Sequence, residues 1–296
     1  MPFTSFLDYL SLEKNYSKHT LIAYHKDLLG FREFALSEFD FSEINNVSYA
    51  IIRSWIVKLV DDGVSNRTIN RKISSLRTYY KFLLKIGDIE VSPLVKHKVL
   101  KTTKKLQVPF SEKEIEDVLE ILKGENSFLG LRNKLIVELF YSTGMRRGEL
   151  VNLKLNDISD SQKTIKVLGK RNKERIIPLL PSALITIASY LGYRKDLSSV
   201  KDVDYLLLTE KGTKIYETLV YRVINNYFSK ASEKVKKSPH ILRHSFATHL
   251  LNEGADIKSV KELLGHSSLA STQIYANNSI SKLKQVYKNT HPRNSK

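Results

Sequence analysis

The stretch SPLVKHKVLKTTKKLQVPFSEKE, residues 92–114, most limits what this chain can fold into. Pro93 and Pro109 bracket Lys96, Lys98, Lys101, Lys104 and Lys105. Proline cannot donate to a helix or a sheet ladder, and five cations in a short run disfavour a packed core. The stretch therefore reads as a linker at 96–109, between one domain at 1–95 and another at 110–296. With 296 residues, the chain is comfortable as two domains, each burying its own core.

Both sides of the linker read as helical, with one exception. Ser17 can cap a helix carrying Leu21, Tyr24, Leu28 and Phe31 at helical spacing. SYAIIRSWIVKLVDDG forms a second helix, ended by Gly63. SNRTINRKISSLRTYYKFLLKIG forms a third, with Ile69, Ile73, Leu76, Tyr80 and Leu83 as its apolar stripe. Arg67, Arg71, Arg77 and Lys81 lie off that stripe, as a phosphate-binding face or a solvated one. Beyond the linker, Ser111 caps EKEIEDVLEILKG, with Glu114 at the capping-box position. LGLRNKLIVELFYSTG reads as a buried helix stopping at Thr143-Gly144, and RRGELVNLKL as a short helix after it.

The exception is TIKVLGKRNKERIIPL. Thr164–Leu168 and Arg175–Leu179 are rich in β-formers and flank a turn of Gly169, Lys170, Arg171, Asn172 and Lys173. This is a hairpin signal with a basic tip. The expected fold is mainly α with a small antiparallel β-sheet in the C-terminal domain.

Charge bears on partners. Lys and Arg number 48 against 31 Asp and Glu, a formal net charge of +17. Residues 1–105 carry +6 of it and residues 106–296 carry +11. A charge of this size on both halves draws the chain to polyanions, and a nucleic acid gripped from two sides is the simplest partner. The lysine-rich linker could pass along such a partner. The chain has no cysteine, which excludes disulfides, thiolate metal sites and cysteine nucleophiles. No run approaches eighteen consecutive apolar residues, so no membrane span is expected. Asp8 stands where an export signal would be apolar, so the expected location is cytoplasmic.

The richest stretch is SPHILRHSFATHLLNEGADIKSVKELLGHSSLASTQIYAN. Its four histidines, His240, His244, His249 and His266, suggest a metal site. The stretch lacks the Glu of an H-E-x-x-H motif, however, and there is no cysteine to help. Two helices around NEGAD, the second capped by Asp256, suggest a DNA-reading helix-turn-helix. A third reading is an active site. Ser238 caps a helix with Pro239 first, and His240 and Arg243 share one face near its N-terminus, where an anion is favoured. His266 follows Gly265, and Tyr275 stands nine residues later. A single tyrosine is more often a packing residue than a nucleophile, so spacing alone leaves the three readings open.

Two upstream boxes join this stretch: STGMRRGEL, with Arg146 past the Thr-Gly break, and VLGKRNKERIIPL, with Lys170 at the hairpin tip. With SPHILRHSFATHLL and LLGHSSLASTQIYAN they resemble the tyrosine recombinase family, whose members include lambda integrase and the Xer recombinases. The gaps are 24 residues from Arg146 to Lys170, 70 to His240, 23 from Arg243 to His266 and nine to Tyr275. They are similar to Xer spacings without a large insertion. The resemblance extends to YSKHTLIAYHKDL, to SNRTINRKISSLRTYYKFL and to the THPR tail.

The resemblance implies a two-domain DNA breaking-rejoining fold, with a SAM-like core-binding domain at 1–95 and a catalytic domain at 110–296. Tyr275 would be the nucleophile, forming a 3′-phosphotyrosyl link. Arg146 and Arg243 would contact the non-bridging oxygens, His266 would donate a further hydrogen bond, Lys170 would protonate the leaving oxygen, and His240 would position or deprotonate the tyrosine. Arg171, Lys173, Lys101, Lys104 and Lys105 would join Arg67, Arg71, Arg77 and Lys81 in binding double-stranded DNA. No metal and no cofactor would be required.

The resemblance further implies a tetramer of identical or paralogous protomers on two sites and a Holliday junction. It implies chromosome-dimer resolution at segregation and cell division, with a DNA translocase as a further partner. Alternatives are a mobile-element integrase, a nicking-closing activity, or a non-cleaving DNA-binding regulator on the same fold. The tail after Tyr275 is expected to form an amphipathic helix with Ile280, Leu283, Val286 and Tyr287, docked on a neighbouring protomer or on its own domain. Glu149 is placed to hold one of the arginines or to lie on the surface. Gly148, inside a helix at a cost near 1 kcal/mol, suggests a close neighbour.

Overall fold

The computed structural model describes residues 3–102, 107–169, 173–265, 287 and 290–294. It divides into two compact units, residues 1–105 and 106–296.

The first unit is helical. A short α1, Thr4–Asp8, runs into a π-helical turn at Tyr9–Glu13. Three longer helices follow: α2, Lys18–Phe39; α3, Tyr49–Asp61; and α4, Asn66–Ile86. Ser17 and Ser65 accept from Thr20 N and Thr68 N and so satisfy donors that a helix start leaves open. Gly87 closes α4 at φ +77°, a conformation glycine adopts without strain. The apolar stripes converge, burying Leu28 and Phe31 of α2, Ile52 and Trp55 of α3, and Ile69, Ile73, Leu76 and Tyr80 of α4. Leu21 and Tyr24 pack against this core only partly buried.

One carboxylate lies deep in this unit. Asp27 is 1% exposed and accepts hydrogen bonds from Arg71 at 2.5 and 3.0 Å, Lys72 at 3.3 Å and Ser75 at 2.7 Å. The sequence between Leu94 and Lys101, read as the start of a linker, is strapped along α4. Asn70 donates to Leu100 O at 2.9 Å and accepts from Leu100 N at 3.0 Å. Asn66 donates to Lys101 O at 2.8 Å, and Leu94 is buried.

The second unit holds seven α-helices, two short 3-10 turns and one sheet among the described residues. The capping box at α5, Glu112–Lys123, closes as expected: Ser111 N donates to Glu114 at 2.7 Å and Glu114 N to Ser111 Oγ at 3.2 Å. The central helix α6, Phe128–Thr143, is buried along Leu135–Tyr141. The short α7, Arg147–Val151, follows it. The hairpin is β2, Thr164–Leu168, against β3, Glu174–Pro178, pairing Val167 with Arg175 and Ile165 with Ile177. A two-residue edge strand β1, Ile158–Ser159, makes the antiparallel sheet three-stranded. The remaining helices are α8, Pro181–Lys195; α9, Glu217–Ala231; α10, Pro239–Asn252; and α11, Ile257–Leu264.

The α10–α11 pair has the look of a helix-turn-helix. Gly254 turns at φ +87° and Asp256 accepts Ser259 N at 2.9 Å. Yet the inner face of the pair is core: Phe246, Leu250, Val260, Leu263 and Leu264 are buried. The described end of the chain rests on its own α6. Tyr287 donates to Ser142 O at 2.5 Å, the His291 ring meets Tyr141 O at 3.2 Å, and Arg293 pairs with Glu138 at 3.5 Å. No helix among the described residues is long and apolar enough to cross a membrane.

Candidate active site

Arg146 is aimed by the break between α6 and α7. Thr143 turns its hydroxyl back to Leu139 O at 2.5 Å and accepts Met145 N at 3.3 Å. Gly144 follows at φ +57°, and a Cβ there would lie 2.3 Å from a ring carbon of Phe246. Only glycine fits, because both the backbone conformation and the space exclude a side chain. The chain thus leaves α6 sharply and starts α7 with Arg146 as its first, non-helical residue.

Glu149, one turn on, is the hub. It is 9% exposed and accepts four hydrogen bonds. Two come from Arg146, N at 2.7 Å and Nη1 at 2.8 Å. Two come from Arg175 of β3, Nη1 at 3.1 Å and Nη2 at 2.7 Å. Burial alone would raise the Glu149 carboxyl, but Arg175 and Arg146 outweigh it and hold it at about 2.

Arg243 enters from α10. Ser238 caps that helix and Pro239 starts it, as the sequence indicated, which places His240 and Arg243 on one face of its first turns. Arg243 is 7% exposed and donates to Gly144 O at 2.5 Å and Leu264 O at 2.7 Å. Burial, then the neighbouring charges of Arg146 and Arg175, bring it down to about 10 against the pull of Glu149, so it stays cationic at neutral pH. Three arginines therefore take three successive carbonyls at the end of α11. Arg175 takes Leu263 O at 2.9 Å, Arg243 takes Leu264 O at 2.7 Å and Arg146 takes Gly265 O at 3.3 Å. These are carbonyls that a helix end leaves without partners.

Arg146, His240 and Arg243 line one open pocket of about 490 Å³ with Met145, Tyr221 and Ser238. Arg147 lines it as well, and guanidinium groups with an imidazole beside a helix N-terminus suit a phosphate. Arg147 turns to Glu217 and forms an ion pair, and Gly148 gives the close approach its sequence suggested: a Cβ there would meet Glu217 at 3.2 Å. His249 is buried against the Tyr141 hydroxyl at 3.0 Å, and His244 is exposed; neither lines the pocket.

Lys170, Arg171, His266 and Tyr275 lie outside the described residues, as do Lys104 and Lys105. Of the basic residues expected to meet DNA, Arg67, Lys81, Lys101 and Lys173 are exposed. Arg71 and Arg77 are not simply displayed to solvent: Arg71 is held by Asp27, and Arg77 donates to His97 O at 3.5 Å. Arg175 was missed by sequence reasoning. Strand alternation was the signal, since it puts Arg175 on the same face as the buried Ile177.

Residues 110–282 match the phage integrase family, and residues 3–87 match its N-terminal SAM-like domain. Tyrosine recombinase XerC of Oceanobacillus iheyensis is 39% identical over 98% of this chain and 95% of its own. Tyrosine recombinase XerC of Listeria innocua is 40% identical over 97% and 96%. Among solved structures, XerH site-specific recombinase bound to palindromic difH substrate aligns with a TM-score of 0.71 at 23% identity, covering 95% of this chain and 79% of that one. A lambda integrase(75-356) dimer bound to a COC′ core site aligns with a TM-score of 0.67 at 18% identity, covering 93% and 100%. At these identities the two structures speak for the fold.

Proposed function

The chain belongs to the phage integrase family of tyrosine recombinases, and from that premise we propose that Arg146, His240 and Arg243 hold the phosphodiester at which it cuts DNA. The observation that carries this is their convergence on one pocket at the start of α10, with Arg146 fixed by Glu149.

In this reading the Tyr275 phenol oxygen attacks phosphorus and the bond to the 5′ oxygen breaks. A phenol of pKa about 10 is mostly protonated at neutral pH, so its proton must leave as attack proceeds, and His240 is the candidate to receive or direct it. Arg146 and Arg243 stabilise charge on the non-bridging oxygens, which suits their planar fork geometry. His266 adds a hydrogen bond to the same group, and Lys170 gives the leaving 5′ oxygen its proton. The 3′-phosphotyrosyl ester keeps the bond energy, so a 5′ hydroxyl of another strand can reverse the step without ATP.

The two basic domains, 1–95 and 110–296, each contact the duplex, and the linker at 96–109 runs between them. Four protomers, identical or paralogous, pair two sites and exchange strands through a Holliday junction. The reading extends to resolution of chromosome dimers at cell division in the cytoplasm, with a DNA translocase as a further partner. The net charge of +17 and the DNA-bound relatives support the DNA contact.

The test is a duplex carrying the sequence this chain protects in a genomic footprint, nicked beside the cleavage point so that the short product diffuses away. A covalent protein–DNA adduct is expected with the wild type and not with Tyr275→Phe. Tight binding without an adduct would overturn the enzymatic reading.

A further inference from the structure

We propose that Arg175 is a positioning residue for DNA cleavage: it occupies half of the Glu149 carboxylate and leaves Arg146 only the other half. The inference rests on the reading of the pocket given above.

Arg175 is no phosphate ligand. Its side chain is 11% exposed, it does not line the pocket, and three of its N–H groups are spent on Leu263 O and Glu149. Its effect is on how Glu149 is shared. A carboxylate offers about four acceptor positions. At Glu149 all four are taken: two by Arg175, one by the Arg146 backbone N–H and one by Arg146 Nη1. Arg146 can therefore give Glu149 only one side-chain N–H. Its Nη2 reaches Gly265 O at 3.3 Å, and the Arg146 side chain, 30% exposed, lines the pocket.

Without Arg175, Oε1 and Oε2 each regain an open position. A free carboxylate beside an arginine takes it in a bidentate fork, the strongest geometry available to the pair. Arg146 would turn from the pocket into that fork. The change also cuts the tie from β3 to Leu263, the third residue before His266 in sequence. Arg175 therefore acts on the phosphate only through Arg146 and the end of α11.

The Glu149 carboxylate then becomes the agent of the defect, which gives the test its sign. On the nicked duplex described above, Arg175→Gln is expected to lower the single-turnover rate of adduct formation about 10- to 100-fold, the scale of a misplaced reacting group. Binding to the same duplex should change less than about threefold, since the lost cation faces protein. Adding Glu149→Gln to Arg175→Gln removes the charge that captures Arg146 and should make cleavage faster than in Arg175→Gln alone. A merely structural role predicts the opposite, with the two losses compounding. Arg175→Lys, which keeps the charge without the fork, should fall between wild type and Arg175→Gln and serves as the readout if Arg175→Gln does not fold. Wild-type cleavage with Arg175→Gln or Arg175→Lys equally fast, or compounded losses in the double variant, overturns this proposal alone. No adduct with the wild type overturns the reading of the pocket as well.

Discussion

Acid should loosen the chain's end from α6 before it unfolds the domain. His291 is 1% exposed, enclosed by the rings of Tyr141, Phe246 and Tyr287. Its Nε2 meets Tyr141 O at 3.2 Å and its Nδ1 accepts Arg293 N at 3.3 Å, so the neutral ring with its proton on Nε2 satisfies both contacts. A second proton would face the Arg293 N–H, in a buried site close to Arg293 and His249. Burial first, then the nearby Arg293 and His249, lower the His291 pKa from 6.5 to about 4 despite the bond to Tyr141. The folded value is depressed and the neutral form is the one that is packed. The anchoring is therefore complete above about pH 6.5 and is lost as pH falls toward 4. At pH 5 the loss is about 2 kcal/mol relative to pH 7.5, roughly thirtyfold in the ratio of released to anchored tail. Hydrogen exchange of the C-terminal peptide, corrected for intrinsic rates at each pH, reads this ratio through the His291 amide, which bonds Tyr287 O at 3.0 Å. His291→Gln should flatten the pH response, while His249→Gln should leave most of it. The reasoning is refuted if protection is the same at pH 7.5 and 5, or if His291→Gln responds to acid as the wild type does.

Asp27→Ala should destabilise the first unit by about 2 kcal/mol, less than for a fully buried pair because Arg71 is half exposed and can turn to water. Trp55 is the chain's single tryptophan and lies in that unit's core, so its fluorescence during urea unfolding reports the loss. Gly144→Ala should cost about 2–3 kcal/mol and lower the melting temperature of the second unit, since its Cβ meets Phe246 and Leu264 and its φ of +57° is strained for alanine. An unchanged melting temperature would mean that α6 and α10 yield there more readily than a packed core does.

Patterns local in sequence were the legible ones. The stripe of Ile69, Ile73, Leu76 and Tyr80, the Ser111–Glu114 box and the Ser238–Pro239 start each declare a helix within a few residues, and the structure places each as read. The hairpin was visible because its β-rich runs flank a glycine-led turn. The two-residue β1 was not, being too short for any alternation to register. The site was legible as a set of boxes and only partly as a geometry. Glu149 was read as holding one of the arginines or lying on the surface, and the structure settles it on Arg146, three residues away. Arg175 stands 26 residues away, and only the folded sheet brings it to the same carboxylate. The strap of Leu94–Lys101 along α4 was hidden for a related reason. It is held by Asn66 and Asn70, whose amides bond a distant backbone and leave no periodic trace.

The three arginines on the last carbonyls of α11 bear on when like charges are brought together. Three guanidinium groups repel one another, a repulsion that adds to burial in lowering the Arg243 pKa, and among the described residues the Glu149 carboxylate, the Gly144 carbonyl and the negative end of α11 stand against them. That repulsion is met during folding, once in the life of each molecule, by carbonyls and a carboxylate that the chain supplies itself. On the proposed reading, an incoming phosphate finds Arg146 and Arg243 already in register and spends none of its binding energy on gathering them. On that reading, the fold has moved the gathering of like charges out of the catalytic cycle.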